Sequence, residues 1–317
     1  LLANDFILNT RISGRMSYSS PLRYPGGKGK LAGFFSQLIT ANGLEGGTYI
    51  EPFAGGAGVA MSLLAEGKVG NIVINDIDRP IHAFWQAVLD RPEDMARKIR
   101  ETAVTVEEWR KQKKIQRAPD ANVFDLGFST FFLNRTNRSG VLDGGPIGGL
   151  EQKGTYKIDA RYNPERLAGI VEHIGSLSEH IQLYGTDAED FIRKVLPDQD
   201  RDSTLVYLDP PYYQKGAYLY MNYYSHWDHL RLSEAVDECA HHWVVSYDDD
   251  PAIRDFYRPY RRREFCLDYS AYERRKGREI MFFSDELEVP DDLLLPGQRD
   301  NLSLLEDTRP FVQTTLI

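Results

Sequence analysis

Short apolar runs alternate along this chain with amphipathic stretches. Residues 48–53 are apolar and partly β-branched, a glycine-rich turn follows, and residues 59–65 read as a helix. Residues 71–75 (NIVIN) form a second strand-like run. Pro80 suits the first turn of the helix after it, with Asp78 near the N-cap. Residues 181–184, 204–208 and 243–246 are three further apolar runs, and residues 228–240 form an amphipathic helix between the last two. Strands alternating with helices predict an α/β fold with a mostly parallel sheet and helices on both faces.

The rhythm breaks between about 90 and 165. That stretch is basic, then aromatic (Phe124, Phe128, Phe131, Phe132), then rich in glycine from 140 to 149. It reads as an inserted, largely helical subdomain rather than another strand–helix repeat. The expected organisation is a catalytic domain made of 16–89 and 166–284, an insertion at 90–165, and an acidic, loose tail at 285–317. Residues 1–15 lack usable periodicity and Met16 looks like a natural start, so 1–15 are expected to be an extraneous or disordered leader.

Composition narrows the class. A hydrophobic content of 42% in 317 residues is ordinary for a globular protein with a full core. No apolar run reaches the length of a membrane span, and no signal-peptide pattern opens the chain. The two cysteines, Cys239 and Cys266, form no CxxC pair, which argues against a disulfide framework or a zinc site. The net charge of −9 points away from wholesale binding of nucleic acid, yet basic residues outnumber acidic ones eight to three both in 97–117 and in 258–278. Those runs read either as a positive face on an acidic body or as solvated helix faces and turns.

Four motifs carry candidate chemistry. Residues 51–58 (EPFAGGAG) lie between a strand and a helix, where Gly55, Gly56 and Gly58 let the backbone turn tightly and approach a ligand. Asp76 ends the second strand, the place from which an acidic residue of a doubly wound fold accepts ribose hydroxyls; Asp78 competes for that role, and either residue also suits a helix cap. These two features alone leave a dinucleotide dehydrogenase open. Residues 209–212 (DPPY), directly after the run 204–208, change that. Pro210 and Pro211 cannot donate backbone hydrogen bonds or continue a strand, so they fix the Asp209 carboxylate and the Pro210 carbonyl at the sheet edge. An amine with two N–H groups can donate one to each, and Tyr212 offers an aromatic face for a base. Residues 22–28 (LRYPGGK) add a flexible Gly-Gly turn, the Tyr24 ring and the Lys28 cation.

Taken in order, 23–28, 51–58, Asp76 and 209–212, joined by 132–140 (FLNRTNRSG) and 246–249 (SYDD), resemble the Dam-like N6-adenine DNA methyltransferases, with coverage from about 20 to 283. The order of cofactor loop, insertion and catalytic segment is similar to the alpha arrangement of that family. The resemblance implies a Rossmann-like sheet, S-adenosylmethionine as cofactor and double-stranded DNA as partner. It implies that Asp209, Pro210, Pro211 and Tyr212 form the catalytic segment. It assigns Tyr24, Lys28, Glu51, Phe53, Gly55, Gly56, Gly58, Asp76 and Asp209 to the cofactor, with Asp187 at its adenine end. The insertion would recognise the target sequence, with Arg135, Asn137 and Arg138 as candidate DNA contacts, since arginine and asparagine suit guanine and adenine edges. A tyrosine at 24, where some members carry tryptophan, is a departure without consequence for the chemistry. The resemblance also implies a cytoplasmic setting and either a restriction–modification role, with a cognate restriction enzyme, or a solitary methylase; a monomer is the default expectation. An RNA or protein amine methyltransferase is the nearest rival, and a binding module without catalysis is a second.

Overall fold

The computed structural model describes residues 20–23, 28–213, 224–269 and 275–295. In chain order the elements that matter begin with α1 (Ala32–Ala41), β1 (Thr48–Glu51), α2 (Gly58–Ala65), β2 (Asn71–Asn75) and α3 (Arg79–Asp90). Four helices follow: α4 (Pro92–Glu101), α5 (Val106–Arg117), α6 (Val123–Thr136) and α7 (Pro164–Ser176). The second half holds β3 (Ile181–Tyr184), α8 (Ala188–Lys194), β4 (Thr204–Leu208), α9 (His226–Asp237), β5 (His242–Asp248), α10 (Pro251–Phe256), β6 (Arg261–Tyr269) and β7 (Arg275–Phe283).

The seven strands form one sheet in the order β3-β2-β1-β4-β5-β7-β6. The first five run parallel, while β7 is antiparallel to both β5 and β6. Alternate side chains feed two apolar layers. Tyr49, Ile72, Leu205, Tyr207, Val244 and Met281 face one layer with α1, α2 and α3. Ile50, Val73, Val206, Val245 and Phe282 face the other, with α8, α9 and α10. Burial on both faces explains why β4 is an unbroken apolar run rather than an alternating one.

Strand succession runs outward from β1 to β2 and β3, then returns to β4 on the other flank of β1. The order therefore reverses between β1 and β4. In open α/β sheets ligands bind at the carboxyl ends of the strands beside such a reversal. The loop 51–58 leaves β1 there, and 209–212 leaves β4 there.

Several expectations need correction. β1 stops at Glu51 because Pro52 cannot donate to the ladder. The helix expected at 228–240 runs from His226 to Asp237, started by a capping box between Ser225 and Asp228. The basic run 258–278 falls largely on β6 and β7; of its described side chains Arg263 is buried and donates to the carbonyls of Val289, Pro290 and Leu293, while Arg258 and Arg278 are exposed. Nor is 285–295 loose: Leu287, Leu293 and Leu295 are buried in the main core. Residues 296–317 and the expected leader at 1–15 lie outside the described residues.

The stretch 90–165 is helical as far as Thr136, then irregular up to α7. Its core is shared with the sheet rather than separate. Phe128, Phe131 and Phe132 of α6 join the layer that holds Tyr49 and Ile72, because α6 packs against α3 and α4 packs against α7. No helix among the described residues is long and apolar enough to cross a membrane.

Candidate active site

The loop after β1 is held by the ends of two neighbouring strands. Asn75, the last residue of β2 and fully buried, donates to the carbonyls of Pro52 (2.9 Å) and Thr186 (3.0 Å) and accepts from the Thr186 amide (2.9 Å). One side chain thus ties together the turns that follow β1 and β3. Asp76 accepts from the Gly55 amide at 2.8 Å and the Asp78 amide at 2.9 Å. The Trp85 indole of α3 donates to the Gly55 carbonyl at 2.9 Å. Gly55 is gripped on both sides with φ at +45°, a left-handed conformation that a side chain resists. Burial pushes the Asp76 carboxyl up to about 7. Asp78 takes the other role open to it and caps α3 through the Ile81 amide.

Glu51 is buried, accepts from the Ala60 amide at 3.1 Å inside the first turn of α2, and is pushed up to about 8 by burial, with the charge of Asp209 adding to the effect. Gly56 is buried within the turn. Gly58 opens α2 so close to the preceding glycine-rich segment that a Cβ there would stand 3.4 Å from the Gly29 Cα. Phe53 is half-buried and meets the edge of the Tyr224 ring at 5.8 Å.

At the end of β4, Asp209 is oriented through one oxygen. Its Oδ1 accepts from the Ser246 hydroxyl of β5 at 3.0 Å and forms an ion pair with Lys28 Nζ at 3.2 Å. Lys28 is buried and also bonds Glu279 of β7 at 3.1 Å and the Tyr212 hydroxyl at 3.4 Å. Burial works against the Lys28 ammonium, but Asp209 and Glu279 outweigh it and hold its pKa well above the ordinary lysine value. Glu279 is pushed up to about 7 by burial, against the pull of Lys28. Pro210 is buried and Pro211 half-buried, so the segment is pinned as the two prolines require.

Tyr212 is 8% exposed; its hydroxyl donates to Glu279 at 3.1 Å and Lys28 Nζ lies 5.2 Å from its ring centre. The structure therefore brings Lys28, Glu51, Asp209 and Tyr212 of the expected residues together, and adds Ser246 and Glu279. Glu279 had no sequence signal beyond an acid placed directly before the four apolar residues 280–283.

Other expected residues are placed elsewhere. Tyr24 lies outside the described residues. Asp187 caps α8, accepting from the amides of Glu189 and Asp190. Asn137 is fully buried: its amide accepts from the Trp109 indole at 2.6 Å and donates to the carbonyls of Val141 and Leu142. It shapes the loop that follows α6. Arg135 donates to the carbonyls of Pro21 and Ser20 and is lowered to about 10 by burial and by neighbouring arginines. It anchors the chain ahead of 22–28. The buried Asn134 does similar work, bonding both backbone groups of Arg23. Arg138 alone of the three candidates is exposed.

No curated protein matches the chain. The family model described as D12 class N6 adenine-specific DNA methyltransferase matches residues 24–266, a span that begins inside the glycine-rich segment before α1, takes in both loops at the strand-order reversal and ends within β6. With more than half of its length matched, the chain belongs to the D12 class N6 adenine-specific DNA methyltransferase family and is a DNA adenine methyltransferase.

Proposed function

We propose that the enzyme transfers the methyl group of S-adenosylmethionine to N6 of an adenine turned out of double-stranded DNA. The observation that carries this reading is the state of Asp209. Its Oδ1 is occupied by Ser246 and Lys28, no described residue bonds its Oδ2, and it stands at the strand-order reversal beside the loop 51–58.

The residues around that loop fit an adenosyl cofactor. Gly58 and Gly29 form a cradle that a side chain at 58 would begin to fill. Asp76, at the end of β2, would accept the ribose hydroxyls, and those bonds would favour its ionised form. Phe53, Gly55 and Gly56 would line the same cradle, Glu51 would support it from beneath, and Asp187 would sit toward the adenine. The cofactor supplies an electrophilic methyl group on a sulfonium.

The chain's own part is positioning. Adenine N6 is a poor nucleophile because its lone pair is delocalised into the ring. Asp209 Oδ2 and the Pro210 carbonyl would accept one N6 hydrogen each and draw the amine toward tetrahedral geometry, freeing the lone pair. As the new N–C bond forms, the nitrogen must shed a proton, and Asp209 is the acceptor already bonded to it. The base must leave the duplex to reach this pocket. Tyr212 would stack on it, a contact worth about 1–3 kcal/mol in other base–aromatic pairs. With its ring so little exposed, Tyr212 has to be uncovered as the base enters.

Target recognition is assigned to 90–165, with Arg138 as the candidate DNA contact, and catalysis to 16–89 with 166–284. A monomer, a cytoplasmic setting and a restriction–modification or solitary role complete the reading. Competition among duplex DNA, RNA and protein substrates for labelled methyl groups tests it. Label confined to adenine in DNA is expected; preferential label in RNA or protein would overturn it.

A further inference from the structure

Ser246 stands on β5, the strand beside β4, and Glu279 on β7, the next strand out, and neither belongs to a loop that the reaction described above uses. Both are buried. A carboxylate inside a sheet is costly unless each oxygen finds a donor. Glu279 meets that condition by division: Oε2 takes Lys28 Nζ at 3.1 Å and Oε1 takes the Tyr212 hydroxyl at 3.1 Å. It thereby fixes the two side chains that border Asp209.

Ser246 acts on Asp209 directly. Its hydroxyl donates to Oδ1 at 3.0 Å, and because a hydroxyl has one proton, the 2.7 Å contact with the Tyr207 hydroxyl must run the other way, from Tyr207 to Ser246. The result is an ordered chain from Tyr207 through Ser246 to Asp209. Lys28, held by Glu279, places its ammonium 3.2 Å from the same oxygen as an ion pair.

We infer that Glu279 and Ser246 are positioning residues for methyl transfer: they saturate Oδ1 of Asp209 from two sides, Glu279 by holding Lys28, so that Oδ2 alone faces the target amine. A carboxylate free to rotate would present either oxygen at a range of angles. One held by a hydroxyl donor and an ammonium on the same oxygen presents a single acceptor before the base arrives. The contacts to Tyr212 carry the same order to the residue expected to stack on the base. This inference rests on the methyl-transfer reading.

The test uses the full chain, S-adenosylmethionine and duplex DNA carrying adenine in many sequence contexts. Glu279→Gln keeps the side-chain shape but removes the charge that holds Lys28, and Ser246→Ala removes one hydroxyl. The expected result is a fall in kcat of about ten- to a hundredfold in each variant, with KM for cofactor and DNA changed less than about twofold and the thermal unfolding curve kept cooperative. A purely structural role would lower stability or raise KM and leave kcat of the folded fraction near wild type; that outcome overturns the inference. Should Glu279→Gln fail to fold, Ser246→Ala reads the same oxygen and decides alone. A wild-type enzyme that labels adenine, with both variants matching it, removes this inference only. A wild-type enzyme that labels no adenine removes the methyl-transfer reading and this inference together.

Discussion

Lys28 Nζ lies 3.2 Å from Asp209 Oδ1, and this contact ties the glycine-rich segment ahead of α1 to the catalytic segment at the end of β4. The ammonium also pairs with Glu279 at 3.1 Å, so one buried cation serves two carboxyl groups. Lys28→Met should therefore cost more than a lost contact. It would leave Asp209 and Glu279 facing each other without a cation, and breaking a buried pair from one side costs about 3–5 kcal/mol. Denaturant unfolding should show a loss of that order together with weakened turnover. Stability within about 0.5 kcal/mol of wild type would mean that the cluster relaxes freely and does not hold the site.

Glu51, at about 8, and Glu279, at about 7, hold protons in the native state that the unfolded chain releases near 4.5. The sign follows from linkage: between those values the native state binds more protons, so stability falls as pH rises. The contribution is fully present below about 4.5 and is lost as pH passes through 7 to 8. For Glu51 alone the slope approaches about 1.4 kcal/mol per pH unit. Urea unfolding of the cofactor-free protein from pH 5 to 8 should show this decline, and Glu51→Gln should flatten it. An equally steep decline in the variant would show that Glu51 ionises normally in the native state.

Arg135 and Arg138 are close in sequence and should behave differently. Arg135 bonds the carbonyls of Ser20 and Pro21. Arg135→Ala should lower the unfolding midpoint, and DNA affinity should follow only through the loss of folded protein. Arg138 is exposed. Arg138→Ala should leave stability unchanged and weaken DNA binding, by about 1–3 kcal/mol at one target position if it reads a base, or evenly on all sequences if it meets phosphate. Titration of both variants with duplexes that carry or lack the methylated site separates these cases. Unchanged binding on every duplex would remove Arg138 from the interface.

The strands β2 and β4 were legible because a parallel strand covered on both faces must be apolar: 71–75 and 204–208 coincide with them, and 181–184 coincides with the edge strand β3. The Asp78 cap and the loops 51–58 and 209–212 were legible for a related reason, since glycine, proline and capping residues act through local backbone rules. What stayed hidden was set by distant neighbours. β6 and β7 were masked by charge: Arg263 is buried only because the carbonyls of 289–293 reach it, and Glu279 only because Lys28 does. The buried leucines at 287, 293 and 295 were averaged away by the acids around them. Asn75, Asn134 and Asn137 are ordinary polar residues in sequence; their burial depends on loops that only the fold brings within reach.

Asp209 is the residue on which methyl transfer depends most directly. Wild-type protein given labelled S-adenosylmethionine and unmethylated duplex DNA should place the label in N6-methyladenine. Asp209→Ala should lose at least about a hundredfold in rate while folding normally, because Lys28 keeps Glu279 as its partner. Mapping the modified bases and comparing the two rates is the most direct test. Label in N6-methyladenine that vanishes in the variant would establish both the reaction and the residue. A folded Asp209→Ala variant that methylates adenine at near the wild-type rate would contradict the account.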